Sequence, residues 1–150
     1  MSGGGRYNQM VVHGAFQPRK LAFEKVTADT TLSPTDSGKV IFLGSNGVDV
    51  TLPSTPEAGL NYKIIMAADY ASAVCTVTID GSGEFFAGVV SSATHDTTVD
   101  SAVFNGSSHD VVTFGSASLQ GDFIEVICNN AAWFITGVSA AAAGLAAGTS

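Results

Sequence analysis

From Lys39 onward the chain alternates short apolar runs with polar turns. The runs are "KVIFL", "VDVTL", "YKIIMA", "CTVTID", "EFFAGVV", "TVDSAVF", "VVTF", "DFIEVIC" and "AWFITGVS", and between them lie "GSNG", "PSTPEAG", "ADYASA", "GSG", "NGSSHD" and "NNA". Short segments rich in Val, Ile, Phe and Thr, bounded by Gly, Asn, Ser and Pro, are the pattern of strands joined by turns. In "VCTVTID", Cys75, Val77 and Ile79 fall on one side of such a strand while Val74, Thr76 and Thr78 fall on the other. In "FIEVIC", Cys128 falls with Ile124 and Val126, opposite Glu125. A strand-to-strand spacing of about ten residues predicts an all-β body, an antiparallel β-sandwich or barrel. No amphipathic stretch of three helical turns competes with this pattern.

The ends of the chain read differently. Residues 1–28 are expected to form an extended N-terminal arm and residues 29–150 the β-sandwich or barrel body. The arm mixes Met10, Val11, Val12, Phe16, Leu21, Phe23 and Val26 with basic residues and Pro18, without a clean period. Burying such side chains yields about 1.5 to 3 kcal/mol each, whereas fixing the backbone costs about 1 to 2 kcal/mol per residue. The arm is therefore expected to order only where it docks, on its own body, a sister subunit or another protein. The C-terminal "AAAAGLAAGTS" predicts a packed peptide or a disordered end.

Composition adds a bias toward contacts. Apolar residues make up 45% and charged residues 13% of the 150, against about 25% charged in an average soluble protein. Part of the apolar surplus is expected in contacts between chains. The net charge of -7 is unevenly spread. Residues 1–25 hold Arg6, Arg19, Lys20 and Lys25 against Glu24, whereas no Lys or Arg follows Lys63. Such an acidic body predicts no nucleic-acid partner, because phosphate binding draws on clustered bases. No apolar run is long enough for a membrane helix, and "MSGGGRYNQM" lacks the apolar stretch of a secretory signal. Synthesis in the cytoplasm, or assembly into a particle there, is the resulting expectation.

Candidate chemistry is sparse. Gly38-Lys39 suggests a phosphate loop, but the places that need an earlier glycine and a following hydroxyl hold Ser33 and Val40, and a strand follows instead of a helix. The pair reads as a turn. His95-Asp96 and His109-Asp110 place adjacent side chains on opposite faces of any strand. No G-x-S-x-G elbow is present. Asp80 and Glu84 flank a tight "GSG" connection. Cys75 and Cys128 lack metal-type spacing and read as core side chains, as does Trp133. The sequence thus predicts neither an enzyme nor a metal or other cofactor.

Two stretches, "TLSPTDSGKVIFLGSNGVDVTLPSTPEAGLNYKIIM" and "GDFIEVICNNAAWFITGVSAAAAG", resemble a group of small virion proteins, the head decoration (cement) proteins of tailed bacteriophages. The likeness runs over roughly residues 29–143. It rests on Asp36-Ser37-Gly38-Lys39 before an apolar pair, the "VTLP" run, a "GD" strand, and Trp133 leading to Gly137 and a small-residue tail. The resemblance implies a β-rich homotrimer on the outer capsid surface of the virion, with the major capsid protein as partner. Phe16, Arg19, Lys20, Leu21, Phe23 and Lys25 are then the expected docking residues of the arm. Related patterns in tail fibre and spike proteins imply an alternative, a trimeric module for host receptor binding.

Overall fold

The computed structural model describes residues 20–69, 74–81, 83–93 and 101–150. Among them are twelve strands: β1 (Phe23–Val26), β2 (Thr30–Thr31), β3 (Val40–Leu43), β4 (Asp49–Leu52), β5 (Asn61–Met66), β6 (Cys75–Ile79), β7 (Phe86–Ser92), β8 (Ser101–Asn105), β9 (Val111–Phe114), β10 (Phe123–Cys128), β11 (Trp133–Ser139) and β12 (Leu145–Gly148). Each run singled out in the sequence contributes one of β3 to β11. A single 3-10 turn, Pro34–Asp36, is the helical element among them. No helix among the described residues is long and apolar enough to cross a membrane.

The strands form two sheets packed as an all-β sandwich. The larger has the order β1-β3-β5-β10-β11-β7-β8 and the smaller β12-β9-β6-β4-β2. Both are mixed, which corrects the antiparallel arrangement expected from turn spacing. The pairs β1–β3, β3–β5, β2–β4, β4–β6 and β7–β11 run parallel.

Parallel neighbours need a crossover, commonly a helix. For the four parallel pairs among β1 to β6 the crossover is a strand of the opposite sheet, whereas β7 reaches β11 only after β8, β9 and β10. From β1 to β6 the chain changes sheet at every strand, so odd strands stack in parallel on one layer and even strands on the other. Hairpins β7–β8 and β10–β11, and β9 and β12, then add antiparallel pairs.

Period-2 alternation determines which side chains meet between the layers. Along β11, Trp133, Ile135 and Ser139 are buried while Phe134, Thr136 and Val138 point outward. Ile41, Ile64, Ile124 and Trp133 of the larger sheet join Val50, Val77 and Val112 of the smaller in one core. Cys75 and Cys128 are free and buried in it, as their alternation predicts. Burial pushes the Cys128 thiol pKa up.

The two ends depart from a simple arm and tail. Residues 23–26, within the expected arm, form β1, an edge strand whose ladder to β3 supplies the backbone pairing that side chains alone cannot replace. Of the alternatives left open for the small-residue tail, the packed one holds: Leu145 is buried, β12 pairs with β9, and Ser150 donates to Asp110 through its N–H (2.8 Å) and its hydroxyl (2.6 Å).

Candidate interaction surface

The segment that raised the phosphate-loop question is a structural knot at the root of the N-terminal segment. Ser33 donates to the Asp36 carboxylate through its backbone N–H (2.8 Å) and its hydroxyl (2.7 Å), and the Asp36 N–H returns to the Ser33 carbonyl (2.9 Å). Gly38 takes φ +82, a left-handed turn that favours glycine. The turn delivers Lys39 to Asp36 (2.6 Å) and to Glu24 of β1 (3.3 Å). Tyr62 donates its hydroxyl to the Ser33 carbonyl (2.9 Å), and burial pushes its pKa up to about 12.

Lys39 thereby ties the edge strand to the turn. The Lys39 ammonium, then the Ser33 hydroxyl and N–H, hold the Asp36 carboxyl down at about 2 against an ordinary 3.8. A depressed carboxyl contributes stability in full above its unfolded value and loses it as pH falls through the folded one. Asp36→Ala is expected to lower stability by about 1 kcal/mol at neutral pH, as for a lost cap. The wild-type melting temperature should fall between pH 4 and 2 more steeply than that of the variant. Parallel melting curves of the two proteins across that range would remove Asp36 from the argument.

Beyond this knot spreads the outer face of the seven-stranded sheet. Pairing registers align one outward residue from each strand in a row: Phe23, Val40, Lys63, Glu125, Thr136, Val89 and Val103. The next row brings Lys25, Phe42, Ile65, Phe123 and Val138 together before two serines, Ser91 and Ser101. Ile127 and Phe134 pair directly in a third. Phe23 meets Phe42 edge-on at 6.0 Å.

Two charges near the middle of this face neutralise one another. Lys63 Nζ lies 2.8 Å from Glu125 and 4.4 Å from the centre of the Phe123 ring. Beside the pair a groove of about 520 Å³ runs from Leu21 over Gly38 and Asn61 to Ile127 and Phe134. The five-stranded sheet presents a different outer face. Its rows read Thr31, Thr51, Thr78, Val111 and Asp49, Thr76, Thr113, Ala146. One side of the sandwich is greasy and the other is threonine-rich.

Of the arm residues expected to dock, Phe16 and Arg19 lie outside the described residues. Lys20, Leu21, Phe23 and Lys25 are exposed, Leu21 and Phe23 at 73% and 69%. These four cluster at the β1 corner of the apolar face. Lys25 lays its aliphatic stem over Gly44, at a spot where a Cβ would overlap it. The larger apolar field on β10, β11, β7 and β8 carries none of the expected docking residues. Its trace in the sequence is that both alternating sets of "FIEVIC" are apolar apart from Glu125.

The other chemical candidates do not converge. His95-Asp96 lies outside the described residues. The His109 ring packs edge-on against Phe104 at 5.9 Å, while neighbouring Asp110 binds Ser150. No group of three or more His, Cys, Asp or Glu side chains among the described residues is placed to hold a metal. Strands β3, β5, β10 and β11 stand side by side in the larger sheet, while the "VTLP" run forms β4 of the smaller one. No family model matches the chain, and no curated protein shows significant similarity to it.

Proposed function

We propose that this chain is a capsid decoration (cement) protein of a tailed bacteriophage, acting on the outer shell as a homotrimer and bound to the major capsid protein. The observation that carries the reading is the apolar corner of exposed Leu21 and Phe23 beside half-buried Phe42, flanked by Lys20 and Lys25, where the N-terminal segment joins a stiff sheet. A cement protein resists internal pressure by spanning neighbouring capsomers. It needs adhesive area, rigidity and a tether. Apolar side chains held open on a hydrogen-bonded sheet supply area at little further entropic cost, because the backbone is already fixed.

Three linked copies multiply the attachment. Each engaged tether raises the effective concentration of the next, so modest single contacts give strong binding to the shell. The basic residues of the tether, set against an acidic body, favour an acidic capsid surface.

A chain beginning at Lys20 retains β1 and the corner residues but lacks Phe16 and Arg19, and is expected to keep its fold and assembly while binding shells more weakly than the full chain. Leu21→Ser with Phe23→Ser in the full chain should weaken binding similarly. Co-sedimentation with shells prepared without the protein reads both, and undiminished binding by both would discard the tether mechanism. Imaging of the virion at subunit resolution tests the reading as a whole. Density on the head supports it, and density confined to the tail overturns it in favour of a receptor-binding fibre module.

A further inference from the structure

We infer that the outer face of the seven-stranded sheet, over Ile127, Phe134, Val138, Val89 and Val103, is the surface on which a second copy of this chain packs. The inference deepens the decoration-protein reading, and rests on it, by assigning its self-association to one face. Val103, Ile127 and Phe134 are 57%, 52% and 44% exposed; Val89 pairs with Val103, and Val138 lies on the same face of β11 as Phe134 with Thr136 between them. Apolar side chains scattered singly are ordinary on a surface. A contiguous field on one rigid face marks an interaction site.

The field has part of the area such a partner needs. The four strands β10, β11, β7 and β8, about 4.8 Å apart and about 20 Å long, present on the order of 400 Å² in plan, separate from the β1 corner. A standard interface takes about 800 Å² of accessible surface from each partner, so this field supplies about half of one such contact.

Charge selects the same partner. The chain carries -7, so two copies repel wherever acid meets acid. On this face the charged side chains of the paired rows are Lys25, Lys63 and Glu125, the last two joined at 2.8 Å. A neighbour packing here meets a single carboxylate, Glu125, that already has Lys63 as its partner. The threonine face offers Asp49 and hydroxyls instead, and it is the one suited to water. Under a covering copy, Lys63 keeps Glu125 and the Phe123 ring as partners, so neither charge is buried alone.

Light scattering of the full chain at micromolar concentration tests this. The wild type is expected to run as a multimer whose mass persists in molar sodium chloride, since apolar contacts are not screened by salt. Val103→Glu with Phe134→Glu, both at exposed positions, should reduce the mass to that of one chain while the circular dichroism spectrum stays unchanged. Val103→Glu alone, on edge strand β8, provides the milder variant should the pair fail to fold. Thr51→Glu with Thr113→Glu, on the opposite sheet, should leave the multimer intact. A multimer that survives the glutamates, dissociates in salt or falls apart equally with the threonine-face variant overturns the assignment of this face while leaving decoration by the tether standing. A wild type that remains a single chain overturns the face and the homotrimer together, and shell binding measured separately then decides the rest.

Discussion

Asp122→Ala is expected to cost about 3 to 5 kcal/mol of folding stability, the sum of several buried polar groups losing a charged acceptor. Asp122 is 3% exposed. One carboxylate oxygen accepts from the Ser139 hydroxyl (2.7 Å) and the Leu119 N–H (3.0 Å), and the other accepts from the Ala140 N–H (2.8 Å). Its backbone carbonyl takes the Met66 N–H (2.9 Å). The side chain therefore joins two passages of the chain between sheets, from β9 to β10 and from β11 to β12. Ser118 extends the node by donating to the Gly144 carbonyl.

Alanine would strip these donors of their shared acceptor inside a site that water does not reach. Asparagine keeps the shape but turns an amide N–H toward donors, so Asp122→Asn should fall between alanine and wild type. Denaturant titration measures both. A loss under about 1 kcal/mol for alanine would show that packing, not this carboxylate, holds the crossings together.

The node also shows where sequence reading stops. Alternation in "FIEVIC" and "AWFITGVS" identifies inward and outward faces because a strand turns its side chains by halves. Alternation does not say which strand lies alongside. Turn chemistry favours hairpins, and β10–β11 is one, yet β1 to β6 wind between layers and pair in parallel, since their linking turns lead across the sandwich instead of back along one sheet.

Weak local signals hid the ends. β12 is "LAAG", small residues with little preference for strands, and it is held by pairing with β9 and by buried Leu145. β1 is "FEKV", in which two charges mask an edge strand whose Glu24 is held by Lys39. The candidate surface was partly legible. An apolar surplus pointed to contacts between chains, but the emphasis on arm residues missed Val89, Val103, Ile127, Phe134 and Val138. Their common plane arises from pairing between strands far apart in sequence, which no single run encodes.

The second large effect is expected from Gly88→Ala, about 2 to 6 kcal/mol, from two separable causes. Gly88 sits in β7 opposite Ile135 of β11 at φ +147, a conformation that side-chain-bearing residues rarely adopt. Holding one there costs about 1 to 3 kcal/mol. An added Cβ would also fall on the Ile135 carbonyl oxygen, well inside contact distance, and the obstacle is backbone that cannot rotate away. Overpacking of that kind adds about 1 to 3 kcal/mol. Gly59 separates the causes, because its φ is +93 with nothing within 4 Å of an added Cβ. Gly59→Ala should therefore show the backbone cost alone, and the excess of Gly88→Ala over it measures the clash. The clash would part β7 from β11, the pair that carries Val89 and Phe134 on the outer face, so the variant should lose the self-association inferred for that face at temperatures where part of its strand signal persists. Equal melting temperatures for the two glycine variants would mean that β7 and β11 yield to the added carbon without separating.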